Sequence, residues 1–242
     1  MENLEKRFLE LADRADERCY VTFSDFLNME EEGLLEGLKL NTNHFLFGGY
    51  DDAERCVAAF GFGCEEAEFP ISIIKAEPVL PKFADKLSHR DFLGSLMALG
   101  IKREVVGDIV IVENIGYIFC LNSIAEYIVN SLDKVRHTNV KCSLVSQLPQ
   151  NAVKVPEGTQ LIAASERLDV IVCAVYNFSR SAVKELFIGR KIYVNSRLCE
   201  NFSHTPKEGD IISVRGKGRF IYNGILGTTK KNRLLISVGI YK

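Results

Sequence analysis

The chain has 242 residues, 47% of them hydrophobic and 26% charged, which is enough for two or three domains with real cores. No apolar run approaches the ~20 residues of a membrane helix. The stretch 1–10 is charged throughout, without the apolar centre of a secretory signal or the Arg- and Ser-rich make-up of a transit peptide, so the expected compartment is the cytoplasm. The formal net charge of −2 conceals a split. Residues 1–67 hold 6 Lys+Arg against 16 Asp+Glu, whereas 166–242 hold 14 against 6. A basic end of this size points to nucleic acid, while the acidic end is read as solvating its own domain.

In the first segment, Leu4, Phe8, Leu11 and Ala15 recur at helical spacing. A second helix is expected within 25–38, with Ser24 as its cap. Phe47-Gly48-Gly49-Tyr50 suggests a tight backbone feature after a short apolar strand. It lacks both Gly-x-Gly-x-x-Gly and a Gly-Lys-Ser/Thr ending, which argues against a phosphate loop. Further along, 70–76 reads as a strand broken by Pro78 and Pro81, and 91–100 as a helix closed by Gly100. Strands at 108–113 and 116–120 are joined by Asn114. Ser123 is expected to cap a helix carrying Ile124, Ile128 and Leu132, and 140–145 is the last strand. The order β-α-β-β-α-β is that of ferredoxin-like domains, which many RNA-recognition modules share. Pro149 to Ala164 has weak periodicity and reads as a linker.

After it, Leu168, Ile171, Val172 and Val175 describe an amphipathic helix, with Ser165 placed to cap it. Asn177-Phe178 turns the chain. Ser179 caps a second helix whose buried stripe is Ala182, Val183, Leu186 and Phe187, with Arg180 and Lys184 on the opposite face. Gly189 ends this helix, leaving Arg190 and Lys191 at its edge. Tyr193 starts a strand, Asn195-Ser196 turns, and 210–214 is another strand. Cations on one helix face neutralise phosphates and release counterions, while Ser and Asn position single phosphates.

The seven cysteines, Cys19, Cys56, Cys64, Cys120, Cys142, Cys173 and Cys199, form no Cys-x-x-Cys pair and have no His at zinc-finger spacing. They read as small hydrophobes of a reducing compartment. Glu30-Glu31-Glu32 reads as a solvated run, and His44, His89, His137 and His204 have no evident base or metal partner.

The segments Arg167-Leu168-Asp169, Ser179-Arg180-Ser181, Lys184-Glu185-Leu186, Gly189 to Asn195 and Gly209 to Val214 resemble the S4 RNA-binding domain in order and spacing, over about fifty residues. The remainder is similar to the YlmH family of S4 proteins. Phe47-Gly48-Gly49-Tyr50 with Ala53-Glu54-Arg55, His89 to Gly94, Leu99 to Arg103 with Gly107-Asp108, and Arg215 to Phe220 carry that similarity. The resemblance implies an α+β protein in four parts. They are a small N-terminal α/β domain (1–67), a ferredoxin-like RNA-binding domain (68–155), a linker (156–164) and an S4 domain with a β-extension (165–242), in which a helical pair of αL type precedes strands. It implies a non-catalytic, cytoplasmic binder of ribosomal RNA and tRNA on the large ribosomal subunit, in quality control of stalled complexes that retain peptidyl-tRNA. No membrane, small-molecule substrate, cofactor or metal is expected. The RNA contacts it implies are Arg167, Ser179, Arg180, Ser181, Lys184, Arg190, Lys191, Asn195, Arg197, Arg215, Lys217 and Arg219, with a second contact at His89, Arg90, Lys102 and Arg103. Lys134, Arg136 and His137 are further cations that could extend the middle domain's footprint. Asn195-Ser196-Arg197 stands where many S4 domains read Asn-Gly-Lys.

The alternative is an S4-linked RNA-modifying enzyme. A pseudouridine synthase needs its own Arg-Leu-Asp motif in a larger domain, and the one at 167–169 belongs to the S4 helix. A methyltransferase needs a glycine-rich loop, and Gly61-Phe62-Gly63-Cys64 lacks the third glycine and a clear following helix.

Overall fold

The computed structural model describes residues 2–50, 53–149, 152 and 156–241. It divides into two compact units, Met1–Val153 and Lys154–Lys242.

The first unit begins with helix α1 (Glu2–Arg18), whose Phe8, Ala12 and Ala15 are buried at helical spacing. Strand β1 (Thr22–Leu27) follows, then α2 (Met29–Gly37), β2 (His44–Phe47) and β3 (Cys56–Phe60), in a sheet of order β1-β3-β2. The expected cap at Ser24 is corrected. Asn28 caps α2 in a capping box with Glu31, and Ser24 lies in β1, where its hydroxyl accepts the Ala58 N–H at 2.9 Å.

The unit continues with β4 (Ile71–Pro78), α3 (His89–Ala98), β5 (Val106–Val112), β6 (Ile115–Leu121), α4 (Asn122–Ser131), β7 (Lys134–Val135) and β8 (Thr138–Val145). The sheet order is β5-β6-β4-β8-β7, with antiparallel neighbours throughout. Ser88 and Asp91 form the capping box of α3. Ser123 falls inside α4, whose start has no side-chain cap. Glu113 and Asn114 both have positive φ (50° and 68°), the two-residue turn that matches strand twist. The Asn114 side chain fastens that turn by donating to the Asp85 carbonyl and accepting from Leu87 N–H.

One face of this sheet packs Ile74, Ala76, Ile118 and Cys120 against Phe92 and Leu96 of α3 and Ile128 of α4. Its other face is also buried. Ile73, Tyr117 and Phe119 pack against Phe26 of β1 and Val57 of β3. Gly107 and Gly49 permit the approach, since a Cβ there would fall 2.5 Å from the Phe26 ring and 2.6 Å from the Phe119 ring. The two N-terminal segments are thus one body held by a second core.

The second unit opens with β9 (Glu157–Ala163), which corrects the linker expected over 156–164: residues 157–163 pair in register with the last strand. Residues 153–155, at the expected end of the middle domain, lie outside the described residues. Next come α5 (Leu168–Tyr176) and α6 (Arg180–Ile188), then β10 (Ile192–Val194), β11 (Arg197–Leu198), β12 (Ile211–Val214), β13 (Gly218–Thr228) and β14 (Leu234–Ile240). The sheet order is β11-β10-β12-β13-β14-β9. Leu168, Ile171 and Val172 of α5 and Val183 and Phe187 of α6 pack on Ile212, Phe220, Tyr222 and Ile236. Ser165 does not cap α5. Arg167 occupies that position without a side-chain cap bond.

Candidate nucleic-acid interface

Ser179 caps α6 as expected, accepting from Ala182 N–H at 3.2 Å, and Ser181 lies 2.9 Å from it, hydroxyl to hydroxyl. Val183 and Phe187 point into the core, which forces Arg180 and Lys184 outward together. Neither makes an ion pair with a described residue. Gly189 ends the helix, and Arg190 follows in the left-handed conformation (φ 53°), its guanidinium 3.7 Å from Glu200.

The sheet brings a second cationic group together. Arg215 N–H donates to the Lys191 carbonyl at 2.8 Å, and Arg215-Gly216-Lys217 forms the turn from β12 to β13. The Lys217 ammonium stands 5.3 Å from the centre of the Phe178 ring. Phe178 belongs to the α5–α6 turn and stacks on Tyr176. Lys217 is therefore tied to the residue just before the Ser179 cap, so the turn neighbours the start of α6. Arg219, further along β13, lies over Tyr241 at 4.3 Å. Burial pushes the Tyr176 hydroxyl up to about 12, so it stays protonated beneath these cations.

Two other expected contacts, Arg167 and Asn195, also make bonds within the fold. Arg167 is held by Asp169 through two bonds of 3.0 and 2.8 Å. The Asn195 side chain braces its turn, donating to Asp210 at 2.8 Å and accepting from Ile211 N–H at 2.9 Å. The Asn195-Ser196 turn forms despite lacking glycine, with φ of 49° and 61°. Arg197 is exposed at the start of β11.

In the first unit, His89 and Arg90 open α3 at the surface. Desolvation of the His89 ring, and then the Arg103 charge, lower its pKa, so the imidazole is neutral near pH 7. Lys102 is exposed and 3.7 Å from Glu104. Arg103 is half-buried and donates to the Val106 and Gly107 carbonyls, and burial brings its pKa down to about 10. Arg55 lies beside it, donating to the carbonyls of Val106 (3.1 Å), Phe26 (2.9 Å) and Arg103 (3.3 Å). Asp108 accepts from Tyr50 Oη at 2.8 Å and Glu54 N–H at 2.7 Å. Sequence reasoning noted Arg55, Tyr50 and Asp108 as motif positions and missed their task, which is to lock the N-terminal segment onto β5. Gly48 opens no phosphate cradle, because Ala53 and the Arg55 carbonyl fill the space where its Cβ would lie.

RNA-recognition sheets commonly stack bases on their open face, and here that face is covered. Several exposed cations of this segment lie on the helix side. Arg90, Lys134 and Arg136 border a groove of about 510 Å³ between α3 and the α4–β7 turn, floored by Gly94, Ser95 and Ala98. Among the described residues no cluster of His, Cys, Asp and Glu could hold a metal, and no helix is long and apolar enough to cross a membrane.

Residues 64–148 match a family model described as "Putative RNA-binding domain in YlmH". The chain is 28% identical over 229 residues to the ribosome-associated protein quality control protein P2 of Bacillus subtilis (strain 168), covering 90% of this chain and 86% of that one. The solved structure of the cell division protein ylmH from Streptococcus pneumoniae aligns with 60% of this chain and 90% of its own, at 19% identity and a TM-score of 0.46. The resemblance read from the sequence therefore holds in this form: residues 64–148 match the RNA-binding domain of YlmH, and about nine-tenths of the chain is similar to a ribosome-associated quality control protein.

Proposed function

We propose that the chain is a non-catalytic RNA-binding protein of the cytoplasm. In this reading it docks on ribosomal RNA and tRNA at the large ribosomal subunit and serves quality control of stalled complexes that retain peptidyl-tRNA. Residues 165–219 act as an S4 module and the β-α-β-β-α-β segment as a ferredoxin-like domain. The observation that carries the proposal is the grouping of two outward cations on α6 with Lys217 beside the start of that helix and with Lys191, bonded through its carbonyl to Arg215, just past its end. The similarity to a ribosome-associated quality control protein supports the ribosome as the place of action.

Arg180, Lys184, Lys191, Arg215 and Lys217 contact phosphates, Ser179 and Ser181 lie at the same end, and Arg190, Arg197 and Arg219 flank them. Arg90 supplies the second contact from the groove side of α3, together with Lys134 and Arg136. Arg167, Asn195 and Arg103 hold the surfaces in shape. Recognition is of backbone shape more than of base sequence.

The test is a titration of large-subunit ribosomal RNA at several salt concentrations. Arg180→Ala with Lys184→Ala is expected to weaken binding and lower the salt slope by about 2 units, one for each lost phosphate contact. Affinity and slope equal to those of the unaltered chain would overturn the assignment.

A further inference from the structure

The basic surplus of the second unit is unevenly placed. Residues 166–214 hold 7 Lys+Arg against 6 Asp+Glu, whereas 215–242 hold 7 against none. The helical pair and its first strands are thus close to neutral, and the charge belongs to the β13–β14 ribbon. Arg215, Lys217 and Arg219 lie at one end of it. At the other end the chain reads Thr229-Lys230-Lys231-Asn232-Arg233.

This second end is an ordered tip. Thr229 N–H donates to the Arg233 carbonyl at 2.8 Å, and Asn232 N–H to the Thr229 carbonyl at 2.9 Å. The Thr229 hydroxyl accepts from Arg233 N–H at 3.1 Å. Asn232 takes the left-handed conformation (φ 55°), which asparagine tolerates better than most residues. Lys230, Lys231 and Arg233 are all exposed, and none makes an ion pair with a described residue. On the β12 side the tip stands clear, because β12 pairs only with residues 218–221 of β13, while on the other side β9 pairs with β14 as far as Leu234. A closed loop fixes the backbone that carries three neighbouring cations, so that binding need order only their side chains. No acid of its own ribbon competes for them.

We propose that the β13–β14 tip is a phosphate-binding arm, a second RNA contact of this unit apart from α6 and the β12–β13 turn. It rests on the reading of the chain as an RNA binder. Eleven residues separate Arg219 from Lys230, at most ~36 Å of extended chain, and the bulges in β13 shorten that reach. One RNA therefore meets both ends of the ribbon only if it offers phosphates tens of ångströms apart, as a folded helical RNA does. A short single strand contacts one end.

The experiment compares the full chain with Lys230→Ala/Lys231→Ala/Arg233→Ala, Lys230→Arg/Lys231→Arg/Arg233→Lys and Arg180→Ala/Lys184→Ala. Each is titrated with large-subunit ribosomal RNA over a range of salt, after thermal unfolding has shown equal stability. The alanine tip variant is expected to lose about 2 to 3 units of salt slope, the charge-retaining variant none. If the alanine tip variant binds like the parent while the α6 variant weakens, the arm is refuted and the RNA reading stands. If neither variant weakens binding, both fall. Vesicles containing phosphatidylserine form the second arm of the test. Loss of vesicle binding with RNA binding unchanged would make the tip a lipid contact and overturn the proposal.

Discussion

Among single residues, Arg55 and Arg180 separate a structural guanidinium from one proposed to contact RNA. Arg55 satisfies three carbonyls on two segments, so Arg55→Ala strips partners from buried acceptors and should cost about 3 kcal/mol or more in urea unfolding. Arg180 is exposed and unpaired among the described residues, so its loss should change stability by no more than about 0.5 kcal/mol. Ser196 is another informative position. Its φ of 61° is one that glycine adopts freely and serine does not. Ser196→Gly should raise stability by under about 1 kcal/mol, measured as a shift in the unfolding midpoint. His89 makes a pH prediction. Its folded pKa lies below the unfolded value near 6.5, so the unfolded chain binds the proton more readily. The associated stability is complete above ~6.5 and is lost as pH falls toward the folded pKa. His89→Asn should remove that slope from thermal unfolding curves.

For the elements, legibility depended on which way the polar residues face. The cap at Ser179, the hairpin at Asn114 and the β-α-β-β-α-β order could be read because their apolar positions keep the period of the element. Strand β1 escaped because its inward positions include Thr22 and Ser24, each buried and hydrogen-bonded, to the Leu11 carbonyl and to Ala58 N–H respectively. Its binary pattern therefore hides a buried face. Strand β9 escaped because it is an edge strand that turns Ile162 outward and pairs with β14 some seventy residues later. The joint between β1–β3 and the five-stranded sheet left almost no trace in the sequence, since carbonyl acceptors carry no residue signature. Its marks were motif positions such as Gly49, Tyr50, Arg55, Gly107 and Asp108, whose task the residue types do not reveal. Gly107→Val drives a side chain into the Phe26 ring and should cost about 1 to 3 kcal/mol by urea unfolding.

For the whole molecule, the N-terminal segment is acidic in composition and covers the sheet face on which RNA-recognition sheets commonly stack bases. Its acids lie in the unit that is not strongly basic, and the charge that attracts phosphate is concentrated in the other unit. The positive end was legible from composition alone. Its distribution, nearly neutral over the helical pair and acid-free along the ribbon, became meaningful only once β13 and β14 were seen to form one arm. RNA binding that rests on this arrangement is electrostatic, so the most direct measurement is the affinity of the full chain for large-subunit ribosomal RNA as a function of salt. The account predicts a linear fall of log affinity against log salt with a slope of several units, about 0.7 to 0.9 for each neutralised phosphate. Affinity that does not change with salt would contradict it.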